Sequence, residues 1–225
     1  MMTRRDAMKL ALAISSVSVL GGISGVAHAA TEGEDYVVLD KPFADAQGTL
    51  TKVFSYDCPF CYKYDVSVDP KLLPRVEKEL GLKFNPVHLE TKAKYGKVAT
   101  EFLVVCMLRD KANARSIEAA DSLFKKAKDA LYDSYHKKGE RWTAGEAAIL
   151  ETLVGATQVS LEDFNKERAT PQVKQVMDAW HASYDIAKIQ GIPAYVVNGK
   201  YLIMTKSIRS LNGMFDLIKE LMAKP

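Results

Sequence analysis

Cys58-Pro59-Phe60-Cys61 sets two cysteines three positions apart, directly after a β-branched and aromatic run and with a proline at the position that opens a helix. That placement has chemical content. The unpaired N–H groups and positive dipole end of a helix start stabilise a thiolate at the first cysteine, and a stabilised thiolate is also a good leaving group. Cys61, one turn later on the same face, is placed to attack a mixed disulfide on Cys58, so the pair can cycle between dithiol and disulfide. Three plainer readings compete. A structural zinc site needs two more ligands, and the Cys106, His88, His136 and His181 that remain are not paired at finger spacing. A structural disulfide across so short a loop would constrain the unfolded chain little. Two thiols buried at the start of a core helix are also an ordinary arrangement.

The chain that must position this pair has 225 residues, 48% of them apolar and 26% charged, with 13 glycines, 8 prolines and 3 cysteines. Such a composition excludes collagen-like, disordered and disulfide-scaffold classes. A core of ordinary size forms at this length without metal or disulfide staples. The net charge of +3 is too mild to indicate a nucleic-acid partner.

Residues 1–29 read as an export signal. Arg4, Arg5 and Lys9 give a charged start, 10–26 is an apolar stretch diluted with Ser and Gly, and Ala27-His28-Ala29 is an A-x-A cleavage signal, so cleavage is expected after Ala29. The alternative, a membrane anchor, is disfavoured because the apolar stretch is marginal for spanning. Arg4-Arg5 with Lys9 also resembles a twin-arginine signal, but Ala7 and Met8 stand where bulkier apolar residues are usual, so the route is open. Without Arg4, Arg5, Asp6 and Lys9 the exported chain is close to neutral. Its expected location is an oxidising compartment in which disulfides persist.

Strand signals lie at both ends of the remaining chain and helix signals in its middle. Residues 36–39 and 49–56 read as strands, and a helix is expected from Pro59, with Pro70 and Pro74 marking a break and a restart before Gly81 stops it. Residues 82–89 read as a third strand, whose Pro86 requires an edge or a bulge. From 91 to 189 the apolar period is helical: Val98, Phe102, Val105 and Cys106 share a face, and 117–135 continues in the same manner. Thr143-Ala144-Gly145-Glu146 reads as a capping box, and Thr170-Pro171 as an N-cap opening a helix to Ile189. A stretch of this length is too long for a loop. Strand pattern returns at 194–197 and 200–204 around Asn198-Gly199, the strongest short-range hairpin signal, and 208–222 closes as a helix with one buried face.

With these elements in order, Phe54-Ser55-Tyr56-Asp57-Cys58-Pro59-Phe60-Cys61-Tyr62 and Gly191-Ile192-Pro193-Ala194-Tyr195-Val196-Val197-Asn198-Gly199-Lys200-Tyr201 together resemble the periplasmic thiol oxidases of the DsbA family. The Cys-Pro-Phe-Cys choice is similar to the DsbL branch. The resemblance implies an α/β thioredoxin-like fold with an inserted all-helical domain: a catalytic domain at 30–91 and 190–225, and the insertion at 92–189. It implies that Pro193 is cis and lies against the Cys58–Cys61 pair; by itself the sequence would suggest the commoner trans bond. It implies an oxidase that donates the Cys58–Cys61 disulfide to reduced exported clients, contacting them through Pro59, Phe60, Ile192 and Pro193. Reoxidation would come from a quinone-linked membrane oxidase of the DsbB type. No cofactor, metal or nucleic acid is implied, and the protein is expected to be a monomer in the periplasm. Likeness to the DsbL branch further suggests a dedicated membrane partner and a narrow client range, such as an exported aryl sulfotransferase.

Two departures from the family matter. Many members carry histidine before the second cysteine, where this chain has Phe60, leaving the thiolate to backbone donors, the helix dipole and nearby cations. Lys52 stands where such sequences often have a buried acid; lying behind the disulfide it would favour the thiolate form, with Lys63 adding to this and Asp57 opposing it. A solvated surface is the plainer reading of both lysines. Cys106, among apolar neighbours, reads as a core thiol rather than a resolving one; His88 reads as structural, and Trp142 and Trp180 as core anchors. The remaining alternatives are a reductase or isomerase kept reduced, and, outside redox chemistry, a chaperone that holds clients in the same cleft.

Overall fold

The structure is a computed structural model and describes residues 29–225; apart from Ala29, the segment expected to be an export signal lies outside the described residues. Five strands, β1 (Tyr36–Val38), β2 (Thr49–Phe54), β3 (Lys83–His88), β4 (Ala194–Val197) and β5 (Tyr201–Ile203), form one sheet in the order β1-β5-β4-β2-β3. β2 and β3 are parallel and the other neighbours antiparallel. Between β2 and β3 run α1 (Pro59–Ser67) and α2 (Asp69–Leu80). Between β3 and β4 come α3 (Gly96–Ala112), α4 (Leu123–Tyr132), α5 (Glu146–Thr157), α6 (Leu161–Arg168), α7 (Pro171–His181) and α8 (Ser183–Gln190), and α9 (Leu211–Met222) ends the chain.

The sheet is covered on both faces because its strands alternate between two apolar layers. Tyr195, Val197, Tyr201, Ile203 and Leu50 pack against α2 and α9, whereas Ala194, Val196, Leu202 and Val53 pack toward the inserted helices. Each fully buried Leu, Ile or Val side chain contributes about 1.5–3 kcal/mol. The hairpin forms at Asn198 and Gly199, both at positive φ (53° and 67°), and Gly199 is irreplaceable on a second ground: a Cβ there would sit 2.8 Å from the Phe43 carbonyl oxygen. β3 is an edge strand, as Pro86 requires. Lys83 and Leu89 donate their N–H groups to Gly48 and Phe54 of the β2 side, so the amides at 84, 86 and 88 face outward and the missing one belongs to the free edge.

Several helix boundaries differ from the expected ones. Pro74 does not restart a helix but lies inside α2, where its absent N–H would have reached only the Pro70 carbonyl in the first turn. The stretch 117–135 is helical only from Leu123, because buried Asp110 of α3 accepts the N–H groups of Leu123 (3.0 Å) and Phe124 (2.9 Å) and the Ser122 hydroxyl (2.8 Å), fixing the start of α4 from a distance. Its end relaxes into a π-turn at Asp133–Lys137. The capping box at 143–146 is absent. Trp142, 2% exposed, donates its indole N–H to Thr152 (3.0 Å) and adopts positive φ, so the chain turns until Gly145, which caps α5 without a side chain. Thr170 does cap α7, but the helix is interrupted for one residue at Ala182, with no proline or glycine to mark the break. The last helix begins at Leu211, capped by the Ser210 hydroxyl on Gly213 N–H (3.0 Å).

Candidate active site

Cys58 is the N-cap of α1, with extended backbone (φ −83°, ψ 114°) and with Pro59 in the first turn. Its sulfur accepts the N–H of Cys61 at 3.3 Å, and its thiol points to the Ile192 carbonyl at 3.5 Å. That carbonyl belongs to the cis Ile192–Pro193 bond immediately before β4. The two motifs, 134 residues apart, therefore meet at one sulfur.

The two thiols are unlike. The Cys61 thiol, the backbone N–H groups of Cys61 and Phe60, and the charge of Lys92 together outweigh burial and lower Cys58 from 9.0 to about 7. Burial first, and then the Cys58 thiolate beside it, push Cys61 well up. Cys61 is wholly enclosed, while Cys58 lines an open groove with Phe60, Leu89, Lys92, Tyr184 and Ile192. Phe60 is 65% exposed, an apolar ring beside the reactive sulfur with nothing of its own to cover it.

Lys52 is buried behind the pair rather than solvated: it is 2% exposed, ion-paired with Asp69 and 3.8 Å from Asp65. The Tyr195 hydroxyl donates to the other Asp69 oxygen at 2.5 Å, and Lys128 pairs with Asp65. This charge acts on Cys61, whose thiolate it favours against the stronger effect of burial. Lys63 is exposed on α1. Asp57 does not simply point into solvent; it accepts from the Ser55 hydroxyl (2.8 Å) and pairs with Lys92 (3.6 Å), so its charge reaches Cys58 already partnered.

Around this lies an aromatic shelf. Buried His88 accepts the Tyr56 N–H at 3.1 Å, meets Thr100 at 2.7 Å and is held neutral, lowered by burial to about 3, which makes it structural as expected. His136 stacks on Tyr62 with 4.7 Å between ring centroids and hydrogen-bonds the Tyr56 carbonyl (2.9 Å), tying the insertion to the turn before Cys58. Cys106 is fully buried and pushed up by burial, and Trp142 and Trp180 are core residues. Lys92, Asp65, Asp69 and Lys128 carry no signal in the sequence, where His136 stands only as a candidate metal ligand and Tyr195 only as part of the proline-loop motif; they join the site from separate elements. Among the described residues no group of three or more His, Cys, Asp or Glu side chains is placed to hold a metal ion, and no helix is long and apolar enough to cross a membrane.

Alkylation of the reduced protein should therefore follow one thiol with a midpoint near pH 7, Cys61 and Cys106 staying silent until strongly alkaline pH. A midpoint near 9, followed by mass spectrometry of the labelled peptides, would show that the helix start and Lys92 do not stabilise a thiolate.

No family model matches the chain. It is 52% identical over 204 residues, 90% of this chain and 91% of the relative, to the thiol:disulfide interchange protein DsbL of Escherichia coli O6:H1. The crystal structure of DsbL from Salmonella enterica serovar Typhimurium superimposes with a TM-score of 0.82 at 50% identity, covering 88% of this chain and 100% of that one. The DsbA structure from Klebsiella pneumoniae, at 20% identity and a TM-score of 0.69 over 88% of this chain and 100% of that one, shares the fold.

Proposed function

This chain belongs to the DsbA family of thiol:disulfide interchange proteins, with DsbL among its relatives, and on that premise we propose that it oxidises exported client proteins with a Cys58–Cys61 disulfide. A client thiolate attacks Cys58, the Cys58–Cys61 bond breaks, and the Cys61 sulfur leaves and takes up a proton. The client's second thiolate then attacks its own sulfur in the mixed disulfide, and Cys58 leaves as a thiolate. The client gains a disulfide, the protein becomes a dithiol, and both electrons stay on Cys58 and Cys61.

The observation that supports this direction most is the inequality of the two thiols. A Cys58 held near 7 leaves readily, and a Cys61 pushed far up is protonated at neutral pH and returns slowly to displace the client. Phe60 and Ile192 would grip apolar client residues, while the backbone beside cis Pro193 would pair with the client chain as an added strand. We place the working compartment in the periplasm, after removal of residues 1–29, with the protein acting as a monomer and reoxidised by a DsbB-like membrane partner. An exported aryl sulfotransferase fits the narrow client range proposed for it.

Thermal unfolding of the oxidised and reduced forms tests the direction. An oxidant must be more stable reduced, because whatever favours the dithiol also stabilises that folded state. The sign with pH follows from the lowered Cys58: its contribution to the stability of the reduced form is present near pH 9, the unfolded value, and is lost as pH falls through about 7, while above about 9 the raised Cys61 acts in the opposite sense because it ionises only in the unfolded chain. The full size of the Cys58 contribution is on the order of 2–3 kcal/mol. A higher melting temperature for the oxidised form at pH 9 would point instead to a reductase or isomerase.

A further inference from the structure

The first described residues end against the last helix. The backbone nitrogen of Ala30 lies 2.9 Å from Glu220 Oε1 and 3.1 Å from Oε2. Glu220 stands in the last turn of α9, where the helix dipole favours a cation, and Ala30 is packed onto the apolar layer between the sheet and α9. Its position is fixed independently of Glu220: Asp35 N–H donates to the Thr31 carbonyl (2.8 Å), Thr31 N–H to the Asp35 carboxylate (2.9 Å), and Met204 N–H to the Asp35 carbonyl (2.8 Å). In an uncut chain the Ala30 nitrogen has one hydrogen to share between two carboxylate oxygens. A group with more hydrogens and a positive charge at that position could give each oxygen its own donor and add an attraction that a single amide N–H lacks.

We propose that hydrolysis of the Ala29–Ala30 peptide bond creates that group, and that the ammonium released at Ala30 forms an ion pair with Glu220 which the uncut chain lacks. The cut consumes one water: Ala29 leaves with a carboxylate at the end of the leader, and Ala30 keeps the nitrogen, protonated. Ala29 is exposed, and the A-x-A pattern ends on it. The inference rests on the export reading above and adds to it a receiving site: processing closes the N-terminus onto the C-terminal helix. Lys224 lies 3.9 Å from Glu220, and Asp35, Arg209, Asp216 and Lys219 are the other charged residues lining the same groove.

The test compares two chains, one beginning at Ala30 and one retaining Ala29, each with and without Glu220→Gln. Glu220 is partly exposed, and the glutamine keeps its shape, so all four are expected to fold. In the chain beginning at Ala30 the substitution should raise the unfolding equilibrium constant about threefold, and clearly less in the chain that keeps Ala29. The α-amino group of the shorter chain should titrate above the ordinary ~7.7–8.0 and return to it in Glu220→Gln. Equal effects in the two chains, or an α-amino group indifferent to Glu220, would overturn the ion pair. The intact mass of the exported protein separates the premise from the inference: a start other than Ala30 removes the processing site, whereas a start at Ala30 with no coupling to Glu220 leaves export standing and removes only the pairing.

Discussion

Cys58→Ser should abolish client oxidation entirely, while Cys61→Ala should accumulate mixed disulfides that the unsubstituted protein passes through too briefly to isolate. The two outcomes differ because the thiols differ. With serine at 58 no disulfide forms, and the remaining Cys61 is enclosed and protonated at neutral pH. With alanine at 61, Cys58 still lines the groove and keeps the backbone N–H groups and Lys92 but loses the Cys61 thiol that does most to lower it, so it captures an oxidised client or a small disulfide at mildly alkaline pH and has no neighbour to release it. Non-reducing electrophoresis after acid quenching reads both results. Retained activity in Cys58→Ser would favour a client-holding chaperone over an oxidase, and equal trapping through Cys61 would remove the assignment of Cys58 as the attacked sulfur.

Asp69→Ala should lower the unfolding free energy by about 3–5 kcal/mol, since it strands the Lys52 ammonium in a site it cannot leave. Lys52 is 2% exposed and its other acid, Asp65, at 3.8 Å, is already engaged by Lys128. The substitution also leaves the buried Tyr195 hydroxyl without its acceptor. Replacing the whole cluster, Lys52→Met with Asp69→Leu and Tyr195→Phe, should recover most of the loss, because three apolar side chains need no partner. Urea unfolding measures both. A loss below about 1 kcal/mol for Asp69→Ala would mean that water reaches the pair and screens it. Loss of Lys52 also removes a cation that favours a Cys61 thiolate, so mixed disulfides should persist longer in that variant.

What the sequence made legible was short-range. The strand into Cys58, the proline behind it, and Asn198-Gly199 are each signalled by residues that touch along the chain. Lys52 shows the limit: its type and place suggested a charge behind the pair, but only Asp69, 17 residues on, accounts for its burial. Lys92 and His136 reach the site from 34 and 78 residues beyond Cys58, and nothing adjacent to either marks it. The absent capping box has the same origin, because Trp142 turns the chain inward for contacts that a four-residue pattern does not contain. The cis bond before Pro193 was implied by family resemblance alone, as the local sequence favours trans.

Proline at the middle of the free edge of β3 has a further consequence. A protein whose substrates are unfolded polypeptides is constantly offered strands, and any bare sheet border is an invitation to uncontrolled polymerisation. Pro86 removes the central outward amide of that border, and the opposite border, β1, is only three residues long. Neither flank of the sheet therefore offers an added strand an unbroken row of partners, which leaves the backbone beside Ile192 as the place proposed above for a client chain.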